Sequence, residues 1–360
     1  MKGTQDTERE DVNKVFIAGG TGMLGANTAL AFAKAGIEVV VSTRKKNDVV
    51  GAWLTGRSDL ISVETVELGE AAAVKDVFER HDFGGMVLVV HTHQYARTRD
   101  KNNEIYPIML NCLETARKNG VKRTIFGGSM AVYGELMPPF NETVRFPPEV
   151  GDSPMGDGLV LKFEVATKRA LEIIALDYGT PFQMGLSVPP GTENPEPHTM
   201  EVAVLRSPMM FGPFYQAMGS PMGIAAHFAA GKLERFAGLP GYGGMPIEKF
   251  WAALASVPIN YVKDNAECIR IAMTAERLPH RVYNVSSGFP TAPRAQLEAL
   301  IAAAPECAER MGVTPDDLPG EAMDVGFDGD LFAQDFGWRS PYTLESALSE
   351  YIEWLTSHDH

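Results

Sequence analysis

The stretch AGGTGMLG, residues 18 to 25, spaces Gly19, Gly22 and Gly25 three residues apart. An apolar run, VFIA, precedes it, and a helical pattern, ANTALAFAKAG, follows it. Each glycine meets a physical need: a tight turn at positive φ, close approach of backbone to a pyrophosphate, and close packing of helix on strand. Amides at the start of the helix then face the phosphates. The pattern predicts a dinucleotide site contacted by Gly19, Thr21, Gly22, Met23, Leu24 and Gly25. A second set of residues decides between dinucleotides. The next apolar run ends VVVSTRKKN, with no acid before Asp48 to hold a ribose diol. Ser42 and Thr43 are placed to hydrogen-bond a 2′-phosphate, and Arg44 and Lys45 to pair with it, so NADP is expected over NAD.

These residues need a scaffold, and the chain spells one. Strand patterns at VFIA, IEVVVSTR, SVETVEL, GGMVLVVHTH and VKRTIFGGS alternate with helical ones such as EAAAVKDVFERH and IYPIMLNCLETARKNG. Alternation of this kind predicts an α/β, doubly wound parallel sheet, a Rossmann arrangement, with a smaller C-terminal α/β substrate domain. Residues 1–13 read as a flexible tail. Residues 14–185 read as the dinucleotide-binding domain, completed by about 200–212 and 256–288. Residues 186–199, 213–255 and 289–360 are left for substrate. Pro107 stands inside the IYPIMLNC pattern, so that helix should start late or bend.

Composition narrows the class. With 360 residues and 45% hydrophobic content the chain can bury a sizeable core. A net charge of -14 disfavours nucleic acid and anionic membrane surfaces as partners, and no run is long and apolar enough to span a bilayer. Cys112, Cys268 and Cys307 are far apart, with no metal-ligand spacing, so no metal is expected and a reducing, cytoplasmic setting fits.

The ordered motifs together resemble the extended short-chain dehydrogenase/reductase superfamily, which includes the NAD-dependent epimerases and dehydratases. The likeness runs over about residues 14–356: the glycine turn, GVKRTIFGGSMAVYG, VLRSPMMFGP, YNVSSG and the terminal FGWRSPYTLESALSEYIEWL. The resemblance implies that a Ser polarises the substrate oxygen, a Tyr exchanges the proton, and a Lys four residues later lowers the tyrosine pKa and binds the nicotinamide ribose. Carried over by motif, the serine is Ser129 and the lysine is Lys162. Gly158 then takes the tyrosine's place, and moving the lysine to Lys168 puts Glu164 there instead; no tyrosine occurs between 134 and 177. His91 is implied as a cofactor-lining residue.

A proton donor is therefore needed from elsewhere. His93 or Tyr95, at the carboxyl end of the fourth strand, are the first candidates, and Tyr133, Asp152 and Asp157 are further ones. The Met- and aromatic-rich stretches SPMMFGPFYQAMGSPMG and GYGGMPIEKFWAALASV suggest an apolar or aromatic hydroxy or keto substrate. The leading expectation is an NADP-dependent oxidoreductase acting on a small molecule. A lyase or epimerase in the same pocket, or a cofactor-sensing binding protein without catalysis, are the alternatives. Relatives imply a homodimer through helices near 103–119 and 159–178.

Overall fold

The structure is a computed structural model. It describes residues 11–89, 99–134, 136–151, 162–180, 200–214, 221–232, 258–310, 312–321 and 325–358. Nine strands are assigned among these residues: β1 (Lys14–Ala18), β2 (Glu38–Thr43), β3 (Ile61–Thr65), β4 (Gly85–Leu88), β5 (Arg123–Ser129), β6 (Glu201–Ser207), β7 (Met209–Phe211), β8 (Ile259–Tyr261) and β9 (Val282–Asn284). Seven form one sheet in the order β3-β2-β1-β4-β5-β6-β9, with every pairing parallel. This is the doubly wound sheet expected from the alternation. The order reverses between β1 and β4, where open α/β sheets form a ligand crevice at their carboxyl edge.

The helices are α1 (Met23–Lys34), α2 (Val49–Thr55), α3 (Ala71–Arg80), α4 (Arg99–Asn103), α5 (Ile105–Lys118), α6 (Lys162–Tyr178), α7 (Pro221–Ala229), α8 (Val262–Thr274), α9 (Pro293–Ala303), α10 (Asp330–Phe336) and α11 (Leu344–Ser357). Strand residues alternate between the faces of the sheet. Val15, Ile17, Val39, Val41 and Ile125 pack with Phe32, Ile269 and Met273 from α1 and α8. Phe16, Val40, Met86, Leu88 and Phe126 pack with Val74, Met109, Leu113 and Leu171 from α3, α5 and α6. Packing starts ahead of β1, for Val12 is buried with the first set. Pro107 falls in the first turn of α5, where a missing N–H does no harm, so the helix starts at Ile105 and not late, one residue after α4 across Glu104.

A third cluster, with Phe211, Met222, Leu297, Leu300, Leu348 and Tyr351, joins α7, α9 and α11 to the two-stranded β7–β8 pair. A fourth holds Val132, Tyr133, Phe140, Val325 and Phe327 beside the end of β5.

Candidate functional site

The crevice begins at the turn after β1. Gly19 adopts φ +83° and donates its N–H to Ser42 Oγ at 2.9 Å. Gly22 N donates back to Gly19 O at 3.1 Å, closing the turn. A Cβ on Gly25 would lie 2.2 Å from Gly19 O, so only glycine lets α1 start this close to the strand. Gly22 caps α1 without a side chain, and no acid stands in the first turn. Its leading amides lack acceptors within the helix and make a positive end suited to an anion.

The floor continues from this turn toward β5. A Cβ on Gly19 would meet Val89 O at 2.8 Å, and one on Gly127 would meet Val89 Cγ1 at 3.2 Å and Leu24 Cδ2 at 3.5 Å. Gly19, Leu24, Val89 and Gly127 thus pack in one continuous run, with Leu24, Val89 and Gly127 buried. It leads from the glycine turn to Ser129, two residues beyond Gly127 at the end of β5.

Ser129 is partly exposed and opposes Ser207 of β6 in register. It N-caps a 3-10 turn, Met130–Tyr133, and its Oγ accepts the Ala131 N–H at 3.1 Å. An hydroxyl that accepts in this way keeps its own hydrogen to donate to an incoming oxygen.

At the end of β2 the four expected phosphate ligands divide. Ser42 is buried and holds the Gly19 amide, so its hydroxyl shapes the glycine turn. Thr43 Oγ1 donates to Asp48 Oδ2 at 3.0 Å and accepts the Lys45 N–H at 3.2 Å, while Asp48 caps α2 through the Gly51 amide. Arg44 and Lys45 carry exposed side chains at the strand's carboxyl end.

Tyr133 sits in a closed network. Its phenol lies 2.9 Å from Asn284 Oδ1 and 3.0 Å from Asn141 O as acceptors, and it accepts from Arg206 Nη1 at 2.8 Å. Arg206 in turn donates to both carboxylate oxygens of Glu172, at 3.0 and 2.5 Å. Burial raises the Tyr133 pKa, and the nearby Arg206 charge opposes it. With 1% exposure and its hydroxyl engaged on three sides, Tyr133 braces β5 against α6 and β6, a role other than proton donor.

Helix α6 presents its lysines differently. Lys162, its first residue, is exposed, whereas Lys168 is 7% exposed. The positions around Lys168 abut the turn after Ser129: a Cβ on Gly134 would meet Val165 Cγ1 at 2.7 Å, and Arg169 Nε donates to Val132 O at 2.8 Å. Burial of Lys168 and the Tyr133–Arg206–Glu172 network are features that motif reading passed over. A signal was present: Val165, Leu171 and Ala175 mark the core side of α6, and 168 and 172 fall between them at helical spacing. His91, His93 and Tyr95 lie outside the described residues, as do Gly158, Asp152 and Asp157. Most of the Met- and aromatic-rich substrate segments do as well. Among the described residues no cluster of His, Cys, Asp or Glu could hold a metal ion, and no helix is long and apolar enough to cross a membrane.

Comparison with known proteins agrees with this layout. Residues 15–154 match the model of the NAD dependent epimerase/dehydratase family. Mouse UDP-glucose 4-epimerase is 28% identical over 138 residues, covering 34% of this chain and 39% of that one, and the human enzyme is 26% identical over 136 residues, with 34% and 38% covered. The matched segment thus spans about two fifths of these curated relatives. Among solved structures, Bifidobacterium longum UDP-glucose 4-epimerase with NAD+ and UDP superposes with TM-score 0.66 at 15% identity, covering 96% of this chain and 98% of that one. Bacillus anthracis dTDP-glucose 4,6-dehydratase with NAD gives 0.65 at 18%, with 96% and 97% covered. The fold is therefore shared over nearly the whole length of both.

Proposed function

We propose, from the match of residues 15–154 to the model of the NAD dependent epimerase/dehydratase family, that this chain is an enzyme that binds a nicotinamide dinucleotide across the β1–β4 crevice and changes the oxidation state of a carbon bearing oxygen. The observation that carries this reading is the close packing that runs from the glycine turn at Gly19 through Val89 and Gly127 to the partly exposed Ser129 at the same edge of the sheet. The cradle fits the cofactor: a Cβ at Gly25 would close it, and the uncapped start of α1 supplies amides for the pyrophosphate. Gly19, Thr21, Gly22, Met23, Leu24 and Gly25 would line the phosphates. When bound, the group supplies or accepts a hydride. Ser129 holds the substrate oxygen by donating its hydroxyl hydrogen, which stabilises charge that develops there.

For the form of the cofactor we favour NADP. Arg44 and Lys45 are exposed cations at the edge where the adenosine ribose would lie, and Ser42 and Thr43 shape the turn beneath them. Asp48, the nearest acid in the sequence, holds Thr43 and the Gly51 amide. For substrate we favour an apolar or aromatic hydroxy or keto compound, on the composition of residues 207–223 and 241–257. The names of the relatives support a second reading, in which oxidation and reduction happen within one turnover of an epimerase or dehydratase, on a nucleotide sugar.

Fluorescence titration of the purified chain with NADPH and NADH tests the first claim. Cofactor absorbance is then followed with aryl ketones and alcohols, and product is assayed with UDP-glucose. Net cofactor turnover with the ketones supports the oxidoreductase; product from UDP-glucose without net cofactor change selects the epimerase reading. Binding without turnover of either leaves a cofactor sensor, and absence of binding sinks the proposal.

We also propose a homodimer. Leu110 on α5 and Ile173 on α6, two neighbouring helices, are 43% and 64% exposed, which a second copy would cover. Sedimentation of the wild-type chain against Ile173→Glu tests it: a dimer that becomes a monomer supports the proposal, and a wild-type monomer refutes it.

A further inference from the structure

The two lysines of α6 compete for one role, and the structure separates them. Lys162 is exposed at the first residue of the helix, while Lys168 is buried and lies between Val165 and Arg169 in sequence, the two residues through which the helix meets the turn after Ser129. Burial drives the Lys168 pKa below its ordinary value, and the charge of Glu164, one helical turn earlier, opposes that shift. The other charged groups nearby are engaged: Arg169 with Val132 O, and Glu172 with Arg206, which also reaches Tyr133. Glu164 stands at the i−4 position that puts both groups on one face of the helix, and its charge favours the ammonium.

We propose that Glu164 and Lys168 are the proton-exchanging pair of this site, with Glu164 in the place of the missing tyrosine and Lys168 in that of its lysine. Lys162 and Gly158 then lie outside the machinery. This rests on the dinucleotide reading above. With a reduced dinucleotide bound to supply the hydride to the carbonyl carbon, the carbonyl oxygen would take the proton of the Glu164 carboxyl. Ser129 donates to the same oxygen, and the new carboxylate is held by the Lys168 ammonium. In the oxidising direction the Glu164 carboxylate would accept the hydroxyl proton, with an oxidised dinucleotide, when bound, as the hydride acceptor.

Two measurements on the full chain test the pair, and neither needs a substrate. First, NADPH and NADH affinities are compared for wild type, Lys168→Met, Lys168→Arg and Lys162→Met by nicotinamide fluorescence. Lys168→Met is expected to weaken binding on the order of 10-fold, with Lys168→Arg recovering part of it and Lys162→Met within about 2-fold of wild type. The reverse ranking, or no effect at 168, overturns the pair while leaving the dinucleotide reading intact. Neither coenzyme binding the wild type overturns both. Second, Glu164→Tyr and Gly158→Tyr are titrated by tyrosinate absorbance. The phenol introduced at 164 is expected to ionise below about 9, because Lys168 stabilises the phenolate, and the one introduced at 158 is not. An ordinary or raised phenol at 164 overturns the proposal. Circular dichroism of each variant shows that it is folded, and Lys168→Arg keeps the affinity test valid where Lys168→Met unfolds.

Discussion

The turn after β1 and the shelf formed by β5 and α6 lie at the same edge of the sheet but are made of different materials. The turn works with backbone: Gly19, Gly22 and Gly25 bring amides together, and the side chains around them, such as Ser42, serve to hold those amides in place. The shelf works with side chains: Ser129, Glu164, Lys168, and the Tyr133–Arg206–Glu172 network that braces them. A backbone site is fixed by sterics and tolerates few residue types. A side-chain site can exchange one chemical group for another and keep its frame.

If the shelf depends on its brace, breaking the brace should have the largest effect on stability. Glu172→Leu leaves the Arg206 guanidinium buried at 3% exposure without its carboxylate. Loss of about 4 kcal/mol is expected in denaturant unfolding, as for other buried pairs that lose one partner. A loss below about 1 kcal/mol would mean that the network is peripheral to the shelf.

Gly25→Ala probes the opposite region and should come next. Its Cβ would sit 2.2 Å from a backbone oxygen that cannot swing away, so strand and helix must separate. We expect about 2 kcal/mol of destabilisation and loss of measurable coenzyme binding. Retained affinity would show that the turn does not depend on close packing.

The two regions also differ in how far the sequence exposes them. The glycine spacing named its strand, its helix and its crevice, because only one residue type allows such approach, and the alternation of apolar runs ordered the parallel sheet. Pro107 suggests a late start or a bend, whereas α5 begins at Ile105 and takes the proline in its first turn. Which lysine counts was harder. Lys162 and Lys168 are both helical lysines in KFEVATK, and only packing distinguishes the exposed one from the buried one. Ser42 and Thr43 are read as phosphate ligands from their place at the end of β2, and the structure adds that their hydroxyls meet Gly19, Asp48 and Lys45, partners that a linear pattern does not reveal. Arg206 is 34 residues from Glu172 and 73 from Tyr133, a convergence created by the crossover connections.

A third substitution tests whether the rim of the turn works through charge. Arg44→Ala with Lys45→Ala is expected to lower NADPH affinity on the order of 10-fold to 100-fold and to leave NADH affinity within about 2-fold. Both side chains are exposed, so stability should hardly move. Equal losses for the two coenzymes would remove the argument for a phosphate contact.

The smallest effect is a slope. Lys168 has a folded-state pKa below its ordinary value near 10.5, first because burial penalises its charge, so between those two pH values the unfolded chain binds more protons than the folded one. Stability contributed at this position therefore rises with pH across that window, by at most about 1.4 kcal/mol per pH unit. In urea melts, the difference between wild type and Lys168→Met should grow in favour of wild type as pH rises toward 10.5. Glu164→Gln should extend that rise to lower pH, because the charge that favours the ammonium is gone. A pH-independent difference would place Lys168 in water, and the shelf would then lack the buried cation that distinguishes it from the turn.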